Sequence, residues 1–153
     1  MRTTMISIAL LALMAPAFAT ASPEPPEPGT PPSLTGLERT SGVILPSYLR
    51  CGTPSRLPRK TIFSFFVNQN ATVTVVFRQV TAGGLAGRGR LVRDASTGKN
   101  RIRFVGVVPT AQGAHRRLPP GRYRAFFTSS NEFGSSPTSA VGIRIAQRPR
   151  RCR

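Results

Sequence analysis

From about residue 40 onward, apolar and polar residues alternate in short runs that are separated by Gly, Pro, Asn and Ser. Alternation with a period of two is typical of half-buried strands, and β-branched and aromatic residues dominate these runs. Seven such strands in roughly 107 residues match the size of a two-sheet sandwich, so we predict an all-β fold. The predicted strands lie near residues 41–46, 61–68, 71–80, 87–93, 100–108, 121–129 and 138–146.

The alternation also assigns side chains to the two faces of each predicted strand. Residues two apart lie on the same face, so the apolar residues of each run are expected in the core. The residues predicted to be buried are Phe63, Phe65, Val67, Val73, Val75, Phe77, Ile102, Phe104, Tyr123, Ala125, Phe127, Val141, Ile143 and Ile145. The alternate positions predicted to face solvent are Arg101, Arg103, Arg122, Arg124 and Arg144.

The first residues have the pattern of a secretory signal peptide. Arg2 precedes an apolar run over residues 5–14, and small residues follow, among them Ala19 and Ala21. The run is much shorter than the roughly 18 residues that a membrane-spanning helix needs. We therefore predict a signal peptide over residues 1–21, cleaved after Ala19 or Ala21, and a secreted, extracellular protein that is free or associated with the cell wall.

Composition divides the rest of the chain. Residues 22–35 hold six prolines and little apolar surface. A segment of this kind cannot bury enough surface to offset the entropy lost on ordering. We predict a disordered proline-rich linker over residues 22–39, a folded domain over residues 40–147 and a basic tail over residues 148–153.

The chain is strongly basic, with 22 Lys and Arg residues, 5 Asp and Glu residues and a formal net charge of +17. Such an excess predicts long-range attraction to polyanions that weakens as salt screens the field. The expected partner is an anionic cell-wall polymer or a partner protein, and nucleic acid only without sequence specificity. The alternative is that the charge reflects only the composition of a GC-rich genome, because arginine far outnumbers lysine.

Two segments carry a resemblance to a known family. Residues 118–123, LPPGRY, resemble the L-x-P-G-x-Y signature that opens strand F in fibronectin type III-like and related bacterial immunoglobulin-like domains, and residues 61–77 are similar to the B–C hairpin of such domains in secreted actinobacterial proteins. The resemblance implies a single seven-stranded antiparallel sandwich. It also implies a turn at Pro120 and Gly121 and a tyrosine corner, in which Tyr123 buries its ring and its hydroxyl bonds upstream backbone.

Catalytic and metal-binding patterns are weak. His115 is the single histidine, and the only carboxylates of the predicted domain are Asp94 and Glu132, with no spacing that brings either to the histidine. A triad needs a base positioned by an acid, and a copper site of the sandwich type needs two histidines and a cysteine. We therefore expect no enzyme, no catalytic residue, no metal and no cofactor.

In an immunoglobulin-like sandwich the A–B connection, the E–F connection and the end of strand G share one end of the fold. We expect anion-binding residues to gather there, whereas the opposite end, made by residues 68–71, 94–99 and 129–137, carries Asp94, Glu132 and Lys99. The candidate anion-binding residues are Arg50, Arg56, Arg59, Lys60, Arg116, Arg117, Arg148, Arg150, Arg151 and Arg153.

Of the two cysteines, Cys51 lies in the predicted A–B connection and Cys152 lies just beyond the predicted strand G. Both are therefore expected at the same end of the sandwich. An exported protein meets an oxidising compartment, so we predict that they form one disulfide. In the chain-entropy model, closing a loop of about 100 residues is worth about 4.7 kcal/mol. The rival interpretations are two free thiols or an intermolecular bond.

Two hypotheses about function follow from these patterns. The preferred one is a secreted or cell-surface-associated, non-catalytic binding module whose cationic surface contacts an anionic polymer or a partner protein. The alternative is a structural or spacer immunoglobulin-like domain without a ligand of its own.

Overall fold

The computed structural model describes residues 29–49 and 55–147, and the regular secondary structure of these residues is almost entirely β. One short 3₁₀ helix spans Ser47–Leu49, and no helix of the described ranges is long and apolar enough to cross a membrane. The described residues form eleven strands: β1 (Leu34–Arg39), β2 (Val43–Ile44), β3 (Thr61–Val67), β4 (Ala71–Thr81), β5 (Gly84–Ala95), β6 (Gly98–Phe104), β7 (Val107–Pro109), β8 (His115–Arg117), β9 (Gly121–Asn131), β10 (Gly134–Ser135) and β11 (Ser139–Ile145).

The strands are arranged in two main sheets and one small one. The first sheet has three strands in the order β1-β3-β6, and the second has the order β2-β11-β9-β4-β5 with β10 added beside β9. All neighbours in these sheets are antiparallel except β2 and β11, which are parallel. The β7–β8 hairpin forms a separate two-stranded sheet.

The two main sheets pack face to face through an aromatic core. The ring of Phe63 on β3 lies 6.5 Å from that of Phe77 on β4 and 5.1 Å from that of Phe127 on β9, measured between centroids. Phe77 stacks on Phe104 of β6 at 4.4 Å. The alternation of apolar residues predicted this core: every residue expected to be buried is buried, except Val141, which is half-buried against the same cluster. The arginines expected to face solvent are exposed.

The prediction of a disordered linker over residues 22–39 was wrong for residues 34–39, which form β1 along β3. Leu34 is buried there, and Ser33 donates its backbone N–H to Asn68 Oδ1 at 2.8 Å. The surrounding prolines lower the average hydrophobicity, while the strand needs only a few apolar contacts because β3 satisfies its backbone. The folded domain therefore begins before residue 40.

Strand boundaries differ from the prediction in several other places. The run predicted as one strand over residues 100–108 breaks between β6 and β7 at Gly106, whose φ is +83°, a conformation that favours glycine. Of the strand predicted over residues 41–46, only Val43–Ile44 is formed, and β8 and β10 were not predicted. These strands are two or three residues long, too short for alternation to reveal.

The fold has two distinct ends. At the β11 end, Thr61 lies opposite Phe104 and Gly121 lies opposite Ile145, so the β2–β3 connection, the β6–β9 connection and the end of β11 come together. Backbone hydrogen bonds hold them there, for example from Ala146 N to the carbonyl of Ile44 at 2.9 Å. The β10 end contains residues 68–70, 96–97 and 132–138.

Candidate anion-binding surface

The outer face of the larger sheet carries arginines that face one another across the strands. Arg122 of β9 lies directly opposite Arg144 of β11, and Arg124 of β9 lies directly opposite Arg78 of β4. All four side chains are exposed. Residues paired in this way have Cβ atoms about 4.5–5.5 Å apart, so like charges repel at close range. We call Arg78, Arg122, Arg124 and Arg144 the cationic face.

No carboxylate of the described residues compensates this charge. Of the three carboxylates there, Glu38 lies on β1 in the other main sheet and Glu132 in the β9–β10 turn. Asp94 lies on β5 opposite Thr72, from which it accepts a hydrogen bond. Thr72 precedes Arg78 by six residues on β4, a separation of about 20 Å at the rise of a strand. The cationic face is therefore open to an external anion.

An aromatic ring supports one of these arginines. The guanidinium carbon of Arg78 lies 5.4 Å from the ring centroid of Phe126, which pairs with Val76 and Ala140 on the same face. A guanidinium held over a ring loses less freedom when it binds an anion. The cationic face therefore combines guanidinium groups with the apolar surface of an aromatic ring.

The structure places Arg56, Arg59, Lys60 and Arg117 at the β11 end, whereas Arg116 lies beside the middle of β5. Arg56, Arg59 and Lys60 are exposed in the β2–β3 connection, and Arg116 and Arg117 are exposed on β8. The remaining candidates, Arg50, Arg148, Arg150, Arg151 and Arg153, lie outside the described residues, as do Cys51 and Cys152. Whether the predicted residues act together stays a prediction.

Tyr48 joins the two connections at this end. Its hydroxyl donates to the carbonyl oxygens of Gly106 at 2.9 Å and Leu118 at 2.7 Å, and the guanidinium carbon of Arg117 lies 5.4 Å from its ring centroid. Burial raises the pKa of the Tyr48 hydroxyl to about 12; the nearby Tyr123 phenol adds to the rise and the charge of Arg117 opposes it. The phenol therefore stays neutral and fixes Arg117 beside the β2–β3 connection.

The residues predicted from the family signature form the expected corner. The Tyr123 hydroxyl donates to the carbonyl oxygen of Pro119 at 2.6 Å, and the ring is buried. Pro120 and Gly121 lead directly into β9, and Gly121 has a φ of +152° with the amide of Gln79 packed against it. A tyrosine corner at the start of this strand is confirmed.

In the part of the chain that the structure describes, no acid is placed to orient His115 as a catalytic base. His115 is exposed on β8 and lines a groove with Leu91, Arg93 and Arg103, in which no carboxylate takes part. Asp94 accepts a hydrogen bond from Thr72, and Glu132 lies in the β9–β10 turn. Within residues 29–49 and 55–147, no group of three or more His, Cys, Asp and Glu side chains could hold a metal ion.

The cationic face was missed as a site by sequence reasoning. Alternation correctly exposed Arg122, Arg124 and Arg144, but the approach of Arg78 to Arg124 depends on the register between β4 and β9. The available signal was the recurrence of arginine at alternate positions of two neighbouring strands.

No family model matches this sequence, and no curated protein matches it significantly. Solved structures with similar parts include a β-glucosidase of Erythrobacter marinus (TM-score 0.40, 12% identity, 75% of this chain and 15% of that one). An alkylpurine DNA glycosylase of Pseudomonas fluorescens bound to DNA with an abasic-site analogue also matches (TM-score 0.40, 15% identity, 76% and 31%). A β-glucosidase of Bifidobacterium adolescentis is more distant (TM-score 0.30, 11% identity, 73% and 17%). The chain therefore spans less than a third of the length of each of these structures.

Proposed function

We propose that this protein is an exported, non-catalytic binding module, built on an immunoglobulin-like or fibronectin type III-like sandwich, that holds an anionic polymer or an acidic partner protein on its cationic face. The signal-peptide pattern of residues 1–21 supports export. The sheet orders support the fold family, because β1-β3-β6 corresponds to strands A-B-E and β11-β9-β4-β5 to strands G-F-C-C′.

The observation that carries this proposal is that two cross-strand pairs of arginines lie on the outer face of the larger sheet. Directly opposed like charges destabilise a sheet, in which a favourable cross-strand pair contributes roughly 0.2–1 kcal/mol. Arg122 with Arg144 and Arg78 with Arg124 stand side by side without a carboxylate near them. A local rule broken in this way is expected at functional sites, where a bound partner supplies the missing charge.

The kind of side chain also favours anion binding. Guanidinium groups present planar, paired donors that match phosphate, sulfate and carboxylate oxygens. The cationic face lies toward the β11 end, which is also the end at which Arg56, Arg59 and Lys60 are exposed. An extended partner bound to the cationic face would therefore run toward these further cations.

The proposal is tested by binding to random-sequence duplex DNA as a polyanion of known charge density, and to isolated cell walls. We expect binding at low salt, with an affinity that falls as a power of the salt concentration because counterions are released. The double variant Arg78→Gln with Arg124→Gln should reduce the slope of log affinity against log salt by about two.

The matched control is Arg39→Gln with Arg101→Gln, which removes the same charge from the smaller sheet. It should reduce the slope by clearly less than the variant of the cationic face. Equal slopes for the two variants would show that the cationic face has no special role. Absence of binding by the unchanged protein, even at low salt, would overturn the proposal in favour of a spacer domain.

A further inference from the structure

A groove of about 540 Å³ runs between β5 and the β7–β8 hairpin, at the open edge of the larger sheet. Its volume lies within the range of small-molecule sites in proteins. Four of its lining residues are arginines and none is a carboxylate; the arginines are Arg88, Arg90 and Arg93 of β5 and Arg116 of β8. We call these four residues the arginine groove.

One glycine allows the two walls of the groove to approach. Gly89 of β5 has a φ of +150°, and a Cβ at this position would lie 2.5 Å from Val108 Cγ2. Val108 belongs to β7 and is fully buried. Because any larger residue would push the hairpin away from β5, the close contact sets the spacing between Arg116 and the arginines of β5.

Arg88 is held in place by a chain of hydrogen bonds. It is the extra residue of a β-bulge, since Phe77 pairs with Gly89 and the next residue of β4 pairs with Gly87. Its Nε donates to Gln79 Oε1 at 2.7 Å, and Gln79 Nε2 donates to the carbonyl oxygen of Pro120 at 3.3 Å. The turn before β9 thus orients the guanidinium and leaves its terminal nitrogens for a ligand, which is the arrangement expected of a preorganised site.

Two further features of the groove suit an oxyanion. Burial raises the pKa of Tyr123, and the charges of Arg88 and Arg116 both oppose that rise, so the two guanidinium groups lie within electrostatic reach of the same phenol. Thr110 also lines the groove, and its hydroxyl is a buried polar atom without a hydrogen-bond partner among the described residues. A bound oxyanion would satisfy both cations, and the unpaired Thr110 hydroxyl is a further polar group in the wall of the groove.

We propose that the arginine groove binds a phosphodiester polymer and that one of its phosphate groups lies between the guanidinium groups of Arg88 and Arg116. Arg88 and Arg90 both line the groove, on either side of Gly89. A polymer with repeated anions can therefore engage several of these arginines at once, and paired guanidinium donors match phosphate better than a point charge would. This inference rests on the proposed function, for which it names the ligand class and an anchoring site.

The test measures the affinity of the whole protein for a poly(glycerol phosphate) oligomer by calorimetry, with polyglutamate of equal charge as the comparison. Arg88→Gln with Arg116→Gln should weaken binding of the phosphodiester at least about tenfold, because a two-armed contact is lost. The control Arg39→Gln with Arg101→Gln, which removes equal charge elsewhere, should weaken it only about two- to threefold through the general field.

A second variant separates geometry from charge. Gln79→Met keeps the net charge but releases Arg88, and should weaken the phosphodiester several-fold while polyglutamate binding stays unchanged. Thermal unfolding of each variant checks that the domain remains folded. Inorganic phosphate should compete with the oligomer for the unchanged protein but have little effect on the Arg88→Gln with Arg116→Gln variant.

The outcomes distinguish the two proposals. Equal losses in the groove variant and the control would overturn the arginine groove and leave the cationic module standing. Polyglutamate binding as tightly as the phosphodiester would overturn the ligand class. Absence of binding to either polymer at low salt would overturn both the groove and the proposed function.

Discussion

The hydroxyl of Tyr123 donates a 2.6 Å hydrogen bond to the carbonyl oxygen of Pro119, four residues earlier, while its ring is only 1% exposed in the core. Tyr123→Phe removes this bond and keeps the ring. We expect the free energy of unfolding to fall by about 1 kcal/mol, the usual net value of such a bond. Denaturant titration measures it, and an unchanged midpoint at an unchanged m-value would contradict a stabilising corner.

Tyr48 should make the fold sensitive to alkaline pH. Burial raises the pKa of its hydroxyl from 10.0 to about 12, so the unfolded state loses this proton more readily than the folded state. The stabilisation is complete below about pH 10 and is lost as pH rises toward 12. Unfolding free energies measured between pH 8 and 12 should therefore fall over the upper part of that range.

Tyr48→Phe provides the matching variant for this pH dependence. It should be less stable at pH 8, since the contacts with Gly106 and Leu118 are lost, and should decline less steeply at high pH. A decline as steep as in the unchanged protein would show that other groups cause the alkaline loss.

The cationic face should carry a measurable cost in stability. Arg144→Gln removes the like charge opposite Arg122, so we expect the free energy of unfolding to rise by about 0.2–1 kcal/mol at low salt. The gain should disappear near 1 M salt, where the screening length is about 3 Å. Arg101→Gln, whose partner on β3 is Ser64, serves as the control and should give no such gain.

The sequence predicted the core well because burial alternates within each long strand. Phe63 and Phe77 could be assigned to the interior from their own neighbours in the chain, and the structure confirms both. Leu34 could not, because β1 is stabilised by β3, which lies far away in the sequence. The composition of residues 22–39 does not indicate that β3 will pair with part of this segment.

The arrangement of arginines depends on register, which the sequence does not reveal. The bulge between β4 and β5 shifts their pairing by one residue after Phe77, and a shift of one residue moves every later side chain to the other face. Arg88 therefore lies beside Gln79, whereas Arg78 faces Arg124 on the outer surface. The sequence therefore predicted that the candidate site is basic, but it did not predict that the arginines divide between the cationic face and the arginine groove.

The predicted bond between Cys51 and Cys152 can be tested chemically. The backbone N–H of Ala146 donates to the carbonyl oxygen of Ile44, so the described segments that precede Cys51 and Cys152 lie side by side at one end of the fold. Mass spectrometry of the non-reduced monomer should find it two hydrogens lighter than the reduced form. A full complement of thiols, or a dimer that reduction dissolves, would favour one of the rival interpretations.

The N-terminal pairing of β1 has a mechanical consequence. Thr30 is held at the β10 end, where its carbonyl oxygen accepts hydrogen bonds from Gln69 and Asn131, whereas β11 runs out at the opposite end. Tension between residues 30 and 147 therefore acts along the strands and loads the β1–β3 hydrogen bonds in shear, all at once. Tension between residues 83 and 147, both at the β11 end, would peel strands apart one bond at a time. Single-molecule pulling should need more force in the first geometry. A protein anchored through residues N-terminal to β1 would therefore bear load while the β11 end, with its exposed arginines, faces away from the anchor.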